Sequence, residues 1–501
     1  MSQLRHTQGR GGQQYGSCDD SPSESEEDCS SESARSGGSG QRSGRSSLSG
    51  RKPQHQKHRR VCLRLVVATA ARILLLFMAG QLTGTVRAGL TPDSTSSSDT
   101  TKKLNFIRAL GTKFMDGDKN FFFQGTNQYW LGPVSQGVLT EVEIEGIIHD
   151  HAQAGLRVIR LWGFGHGWVD MTTDATGAWK LQDGSFRRLD VVVANAKKYG
   201  VRIVFPFVNF EPDLTGTAAS KRMQFYVDNS LGTGRDREYF YASSQDAMRC
   251  MQVWAHYVSF VMSVINHWNP ITGMYYKDDP TILAWELANE PHTSDQFELS
   301  PKAPLQFGDQ GLTIGRGQLA GRLVNQWLCR AATLLKSLDP NHMVTTGEEG
   351  YRTNGPYLST APEHNWLNNG LKGVDFDQNI KCPDVDYMTL HVYPDNWNIP
   401  FWQYQFVIDN FITDRTKLAH AYNKPVVMEE YGCCKAADYA GKRGQVFAAF
   451  HDAADALGVA GTIVWQVVPW AGLKRDGHYD FTYDEDGGWQ VKDMARRMNA
   501  K

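Results

Sequence analysis

The chain has almost no net charge of either sign: 52 basic against 54 acidic residues leave −2 over 501 positions. A surface devoted to nucleic acid is therefore not expected. None of its eight cysteines stands in the Cys-x-x-Cys spacing of a zinc site. Residues 1–60 nearly lack large apolar side chains and are rich in Ser, Gly, Arg and Gln. Such a segment cannot bury enough apolar surface to offset its ordering entropy and reads as a disordered tail. A long unbroken apolar run is also missing. Arg64 and Arg72 interrupt VCLRLVVATAARILLLFMAG (61–80). A central arginine costs about 2.5–3.5 kcal/mol on insertion scales, so this would be a poor spanning helix.

What the N-terminal region does contain is ordered by charge. An acidic knot from Asp19 to Asp28 precedes a basic run, Arg51, Lys52, Lys57, Arg59 and Arg60, and the apolar stretch follows directly. Positive charge before an apolar segment is the pattern of a signal peptide or a signal anchor. The run 73–80 has the size of an h-region, and Val86 and Ala88 before Gly89 fit a small-residue cleavage site. Residues 61–88 are therefore expected to direct the chain into the secretory route. The product would be secreted, or held at a membrane as a type II protein through residues 61–80. Residues 89–103 read as a Ser/Thr-rich linker. Three cysteines, Cys18, Cys29 and Cys62, lie in this region. Of the remaining five, Cys250, Cys329, Cys382, Cys433 and Cys434, one must stay free or pair elsewhere. The adjacent Cys433 and Cys434 are compatible with a bridge, but spacing leaves the connectivity open.

From residue 104 to 501, short apolar runs alternate with helical patterns. The runs are FFFQGTNQYWL (121–131), LRVIRLWGF (156–164), VRIVFPFVNF (201–210), TILAWELANEP (281–291), HMVTTGEEG (342–350), VDYMTLHVYP (385–394), KPVVMEEYG (424–432) and VAGTIVWQVVP (459–469). Gly155, Gly200 and Gly458 stand where helix C-caps would feed the next strand. The alternation predicts an α/β fold, a (β/α)8 TIM barrel. A doubly wound open sheet is the rival. It is disfavoured because the count reaches eight and no glycine-rich phosphate turn follows the first run.

Polar and aromatic residues gather at the ends of these runs: Asn127, Arg160, Asn209, Asn289 with Glu290, Glu349, His391 with Tyr393, Glu430 and Trp465. In a barrel, the C-terminal strand ends build the active site. Glu290 and Glu430, ending the fourth and seventh strands, would face each other across its mouth. Such a pair suits glycosidic cleavage, in which one acid protonates the leaving oxygen and one carboxylate attacks or activates water. Arg160 is the natural charge partner of Glu430, and Tyr393 a hydrogen-bond donor to it. Asn289 is placed to meet a sugar 2-hydroxyl, and Trp465 to lie under a sugar ring. Each residue alone has a plainer reading as a surface salt bridge, a core tryptophan or a structural histidine. Glu429 is expected to point to the other face of its strand, and Glu348 bears the same relation to Glu349.

At WELANEP, HVYPDNW, EEYG and WQ the sequence resembles glycoside hydrolase family 5, and especially its endo-β-1,4-mannanases. The resemblance covers about residues 104–500. It is most specific in NHWNPITGMYYKDDPTILAWELANEP (266–291) and GVDFDQNIKCPDVDYMTLHVYPDNW (373–397), with RLWGF (160–164) a third match. It implies retaining hydrolysis with Glu290 as acid/base and Glu430 as nucleophile, supported by Arg160, Asn289, His391 and Tyr393. Substrate contacts are expected from Trp162, Asn289, Tyr393, Trp465, Glu349, Trp397 and Asn127. No metal and no cofactor is implied; the expected partner is a β-mannan polysaccharide as substrate, and the protein is expected to be a monomer.

Two positions depart from the family pattern. His292 stands where many members have arginine after Asn-Glu-Pro, and Phe210 where many have a second asparagine. The loop 292–318 is long. Other readings remain open at this stage: β-1,4-glucanase specificity on the same machinery, a non-catalytic glycan-binding protein, or an N-terminal interaction tail as the functional part.

Overall fold

The computed structural model describes residues 104–131, 139–164, 171–173, 179–181, 186–210, 223–242, 250–293, 316–434, 436–474 and 477–501. The tail, the apolar segment 61–80 and the linker lie outside them. No helix among the described residues is long and apolar enough to cross a membrane.

Eight strands form one sheet: β1 (Phe123–Asn127), β2 (Val158–Arg160), β3 (Arg202–Pro206), β4 (Ile282–Glu286), β5 (Met343–Thr345), β6 (Met388–Val392), β7 (Val426–Tyr431) and β8 (Gly461–Val464). Their order is β5-β4-β3-β2-β1-β8-β7-β6, with every neighbour parallel. Backbone bonds join the two ends: Asp386 N–H donates to Val344 O at 2.8 Å and His391 N–H to Glu349 O at 3.0 Å. The sheet thus closes as a (β/α)8 barrel, and each strand lies within one of the eight apolar runs.

The outer layer comes from α1 (Glu141–Gln153), α2 (Arg187–Tyr199), α3 (Cys250–Ile265), α4 (Arg316–Leu338), α5 (Thr413–Ala421), α6 (Arg443–Leu457) and α7 (Gly488–Asn499). Thr140 caps α1 through a reciprocal bond pair with Glu143, satisfying two otherwise unpaired groups. Gly200 and Gly458 end α2 and α6 in the left-handed region, and Gly155 follows α1 at positive φ, as the sequence pattern implied.

The barrel interior is divided along its axis. Near the strand starts, Phe123, Val158, Val204, Leu283, Met343, Val427 and Ile463 pack together with Ile107 and Phe114. Those two come from the hairpin Ile107–Leu110/Lys113–Asp116, which caps this apolar layer. Toward the strand ends the filling becomes ionic: Arg160, Glu286 and Glu429 are all fully buried. Burying such charges is costly unless each is paired, so this layer has a demanding hydrogen-bond arrangement.

Candidate active site

Arg160, the last residue of β2, organises the ionic layer. Its Nε and Nη2 donate to the two oxygens of Glu286 at 2.7 Å each. Nη1 donates to Asn127 Oδ1 at 3.0 Å and Glu430 Oε1 at 2.6 Å, and Nη2 also to Asn289 Oδ1 at 2.6 Å. Burial opposes the arginine charge, but Glu286, Glu429 and Glu430 outweigh it and hold its pKa well above the ordinary value. Burial raises the Glu286 pKa against the pull of Arg160, and Glu429 adds to the rise.

Glu286 was not singled out by the sequence reading. It sits inside an apolar strand, Ile282–Glu286, and the available signal was an acidic residue in an otherwise apolar run. Its fork with Arg160 leaves one Nη1 hydrogen aimed at Glu430.

Glu430 belongs to β7, whose register breaks here. Leu390 of β6 pairs with Met428 while His391 pairs with Glu430, so Glu429 is the extra residue. The expectation that Glu429 faces away is therefore corrected. Its Oε2 lies 3.7 Å from Arg160 Nε and 3.5 Å from His391 Nε2. Strict alternation failed because the bulge turns two consecutive carboxylates toward one arginine. Glu429 is sealed off, whereas Glu430 is 4% exposed and accepts at Oε2 from the Tyr393 hydroxyl at 2.7 Å. Burial first, then the Glu430 charge, keeps that hydroxyl protonated far above its usual range.

Glu290 reaches the same place from β4. Its backbone adopts φ 47°, a region that disfavours side chains. Its N–H donates to Gly347 O at 2.9 Å, and the preceding Asn289 N–H to Val208 O at 2.7 Å. A Cβ on Gly347 (φ 72°) would run into Ala288 O and the Glu286 carboxylate, so only glycine fits there. Strain held by neighbouring backbone is a recurring feature of functional positions.

His391 links the two candidate catalytic groups. Its Nδ1 lies 2.9 Å from Glu290 Oε1 and 3.6 Å from Glu430 Oε2. An oxygen of Glu290 and one of Glu430 come within 4.8 Å of each other. Burial disfavours the charged imidazole. The Glu430 charge and the bonds to Glu290 and Glu429 overcome it and raise the pKa well above the ordinary value.

Asn289 is 3% exposed and is held at both ends, by Arg160 and by Asn209 Oδ1, which accepts from its Nδ2 at 2.9 Å. Trp162 and Trp465 are half-buried and share an aromatic wall with Tyr129, a residue the sequence reading did not select. Tyr129 lies parallel to Trp465 at 5.4 Å and meets Trp162 at 4.8 Å. Glu349 is 5% exposed; its Oε1 lies 3.3 Å from His292 Nδ1, and its buried Oε2 has no partner among the described residues. Phe210 meets the His292 ring at 4.2 Å, so the two departures from the family pattern touch each other.

Two expected sugar contacts are placed elsewhere. Asn127 is 1% exposed and bonds Arg160 and Glu429 O, the position of a scaffold residue. Trp397 is packed among Phe411, Trp366 and Tyr351 in the core. Of the cysteines, Cys329 and Cys382 are bridged, and Cys433 and Cys434 carry thiols.

An arginine-clamped glutamate and a second glutamate, drawn together at the C-terminal mouth of a (β/α)8 barrel beside an aromatic wall, place the protein among the barrel glycoside hydrolases. The chain belongs to glycoside hydrolase family 5: residues 104–447 match the model of the family described as GH family 5 beta-mannosidase-like. It is 30% identical to mannan endo-1,4-β-mannosidase 7 of Arabidopsis thaliana, over 65% of this chain and 68% of that protein. It is 30% identical to mannan endo-1,4-β-mannosidase 1 of Solanum lycopersicum, over 72% of this chain and 83% of that protein. The structure superposes on the endo-1,4-β-mannanase of Rhizomucor miehei with TM-score 0.62 and 25% identity, covering 79% of this chain and 100% of that one. For the endo-β-1,4-mannanase of Thermotoga petrophila the TM-score is 0.61 at 27% identity, over 76% and 78% of the two chains.

Proposed function

We propose that the protein cleaves β-1,4-mannosidic linkages within mannans, glucomannans or galactomannans, with retention of anomeric configuration. The observation that carries this reading is that one carboxylate oxygen of Glu290 and one of Glu430 lie within 4.8 Å of each other. Retaining enzymes hold their carboxyl groups at about 5–5.5 Å, whereas inverting ones leave about 6.5–9.5 Å for a water.

Glu430 acts as nucleophile. Arg160 and Tyr393 each hold one of its oxygens, which orients the carboxylate toward the anomeric carbon. Glu290 gives its proton to the leaving oxygen and then, as a carboxylate, takes one from the water that hydrolyses the glycosyl-enzyme. His391 fixes the Glu290 side chain through Nδ1. Trp465, backed by Tyr129, offers the flat face on which the ring being cleaved rests. The bridge Cys329–Cys382 supports passage through an oxidising, secretory compartment.

The substrate is tested by incubating the protein with galactomannan, glucomannan and carboxymethyl cellulose and measuring product lengths. Mid-chain cleavage of the mannans, giving mixed oligosaccharides, is expected. Faster cleavage of carboxymethyl cellulose, or release of single sugars alone, would overturn the mannanase reading.

A further inference from the structure

Immediately after the nucleophile strand, the chain passes through Gly432, Cys433 and Cys434. Gly432 is tightly enclosed: a Cβ there would come within 2.9–3.0 Å of Trp465 O, Tyr479 and Tyr393. Cys433 is buried and Cys434 half-buried. Cys434 adopts φ 89°, a left-handed conformation that favours glycine and is held here by a side-chain-bearing residue. The two sulfurs lie 2.9 Å apart. The same domain already carries the disulfide Cys329–Cys382, so it matures where thiols within reach of each other are oxidised.

We propose that Cys433 and Cys434 form a reversible oxidation site that closes into a disulfide between adjacent residues when the protein meets a small-molecule disulfide. A disulfide spans about 2.05 Å, so closure asks the sulfurs to approach by only about 0.9 Å. Cys434 is the more exposed of the two residues. Burial pushes the Cys433 thiol up, and the hydrogen bond from Cys433 lowers the Cys434 thiol. Cys434 thiolate attacks one sulfur of the oxidant, forming a mixed disulfide and releasing one thiolate. Cys433 then loses its proton and attacks the Cys434 sulfur, forming the ring and releasing the second thiolate. Two protein thiols are oxidised, one small disulfide is reduced to two thiols, and the released thiolates take up the two protons.

The ring is labile compared with the long-range bridge. Adjacent Cα atoms are only about 3.8 Å apart across a trans peptide, below the usual disulfide range of about 4.4–6.8 Å. Cys329 and Cys382, at 5.2 Å, sit inside that range. Strained bridges have the more oxidising potentials and open first.

The test uses the full chain. The protein is incubated with oxidised glutathione, quenched in acid, labelled with N-ethylmaleimide and digested for mass spectrometry. The peptide holding residues 433–434 is expected about two mass units lighter than its dithiol form, without label. Mild dithiothreitol should restore two labels there while the Cys329–Cys382 peptides stay unlabelled. Labelling of both cysteines after the oxidant, or a stable glutathione adduct on Cys434, overturns the proposal. In Cys433→Ser, Cys434 should accept label or glutathione. Continued protection in that variant would show that burial, not a bond, shields it, and would equally overturn the proposal.

Discussion

All five N–H groups of Arg160 are engaged in the interior, on Glu286, Asn127, Glu430 and Asn289. Removing one buried partner leaves charge unpaired, so Glu286→Gln should lower unfolding stability by about 3–5 kcal/mol in a denaturant titration. An unchanged midpoint would mean that Arg160 does not depend on this fork. Glu430→Ala should abolish turnover on polymer, whereas Glu429→Ala should leave a substantial part, because Glu429 has no access to substrate. The reverse ranking in initial-rate assays would show that the nucleophile is misassigned. Glu290→Gln should slow polymer cleavage by about 10²–10⁴-fold while sparing aryl glycosides with good leaving groups; equal slowing of both would remove its acid role. Arg160, Glu290, His391, Tyr393 and Glu430 were legible in the sequence because each is a polar residue ending an apolar run. Glu286 was not, since a carboxylate within such a run looks like a local exception until its arginine is found across the barrel. Asn127 and Trp397 look the same in sequence whether they face a ligand or a neighbour.

The eight strands and their intervening helices could be read from periodicity alone, since burial on both faces makes barrel strands continuously apolar. The bulge in β7 could not. Nothing local distinguishes VVMEEY in regular register from VVMEEY with one extra residue, and that choice decides where Glu429 points. The segment after β5 carries a second consequence. Glu348 is fully buried and accepts bonds from Thr346 Oγ1 and Asn379 Nδ2. Burial pushes its pKa up to about 8 from an ordinary 4.5. Between those values the folded chain holds a proton that the unfolded chain has released, so stability falls as pH rises through that window and is flat below it. Thermal unfolding of Glu348→Gln should lack this component, and the variant should gain on the wild type from pH 5 to 8. A constant difference in Tm across that range would contradict the assignment.

Seen along the barrel axis, the molecule separates stability from chemistry. The apolar layer under the hairpin fills the strand starts, and the charged layer above it presents Glu290 and Glu430 at the mouth. The charge and apolar pattern of residues 51–88 is expected to give the chain a destination. Residues 1–103 fused to a reporter should carry it into the secretory lumen, as a protease-protection assay would detect, and a reporter left in the cytosol would refute that role. The account stands on two glutamates close enough for direct attack. Proton NMR of a mannooligosaccharide during the first minutes of hydrolysis tests it most directly. The account predicts that the new reducing end appears first as the β-anomer and then mutarotates. Initial release of the α-anomer would contradict it.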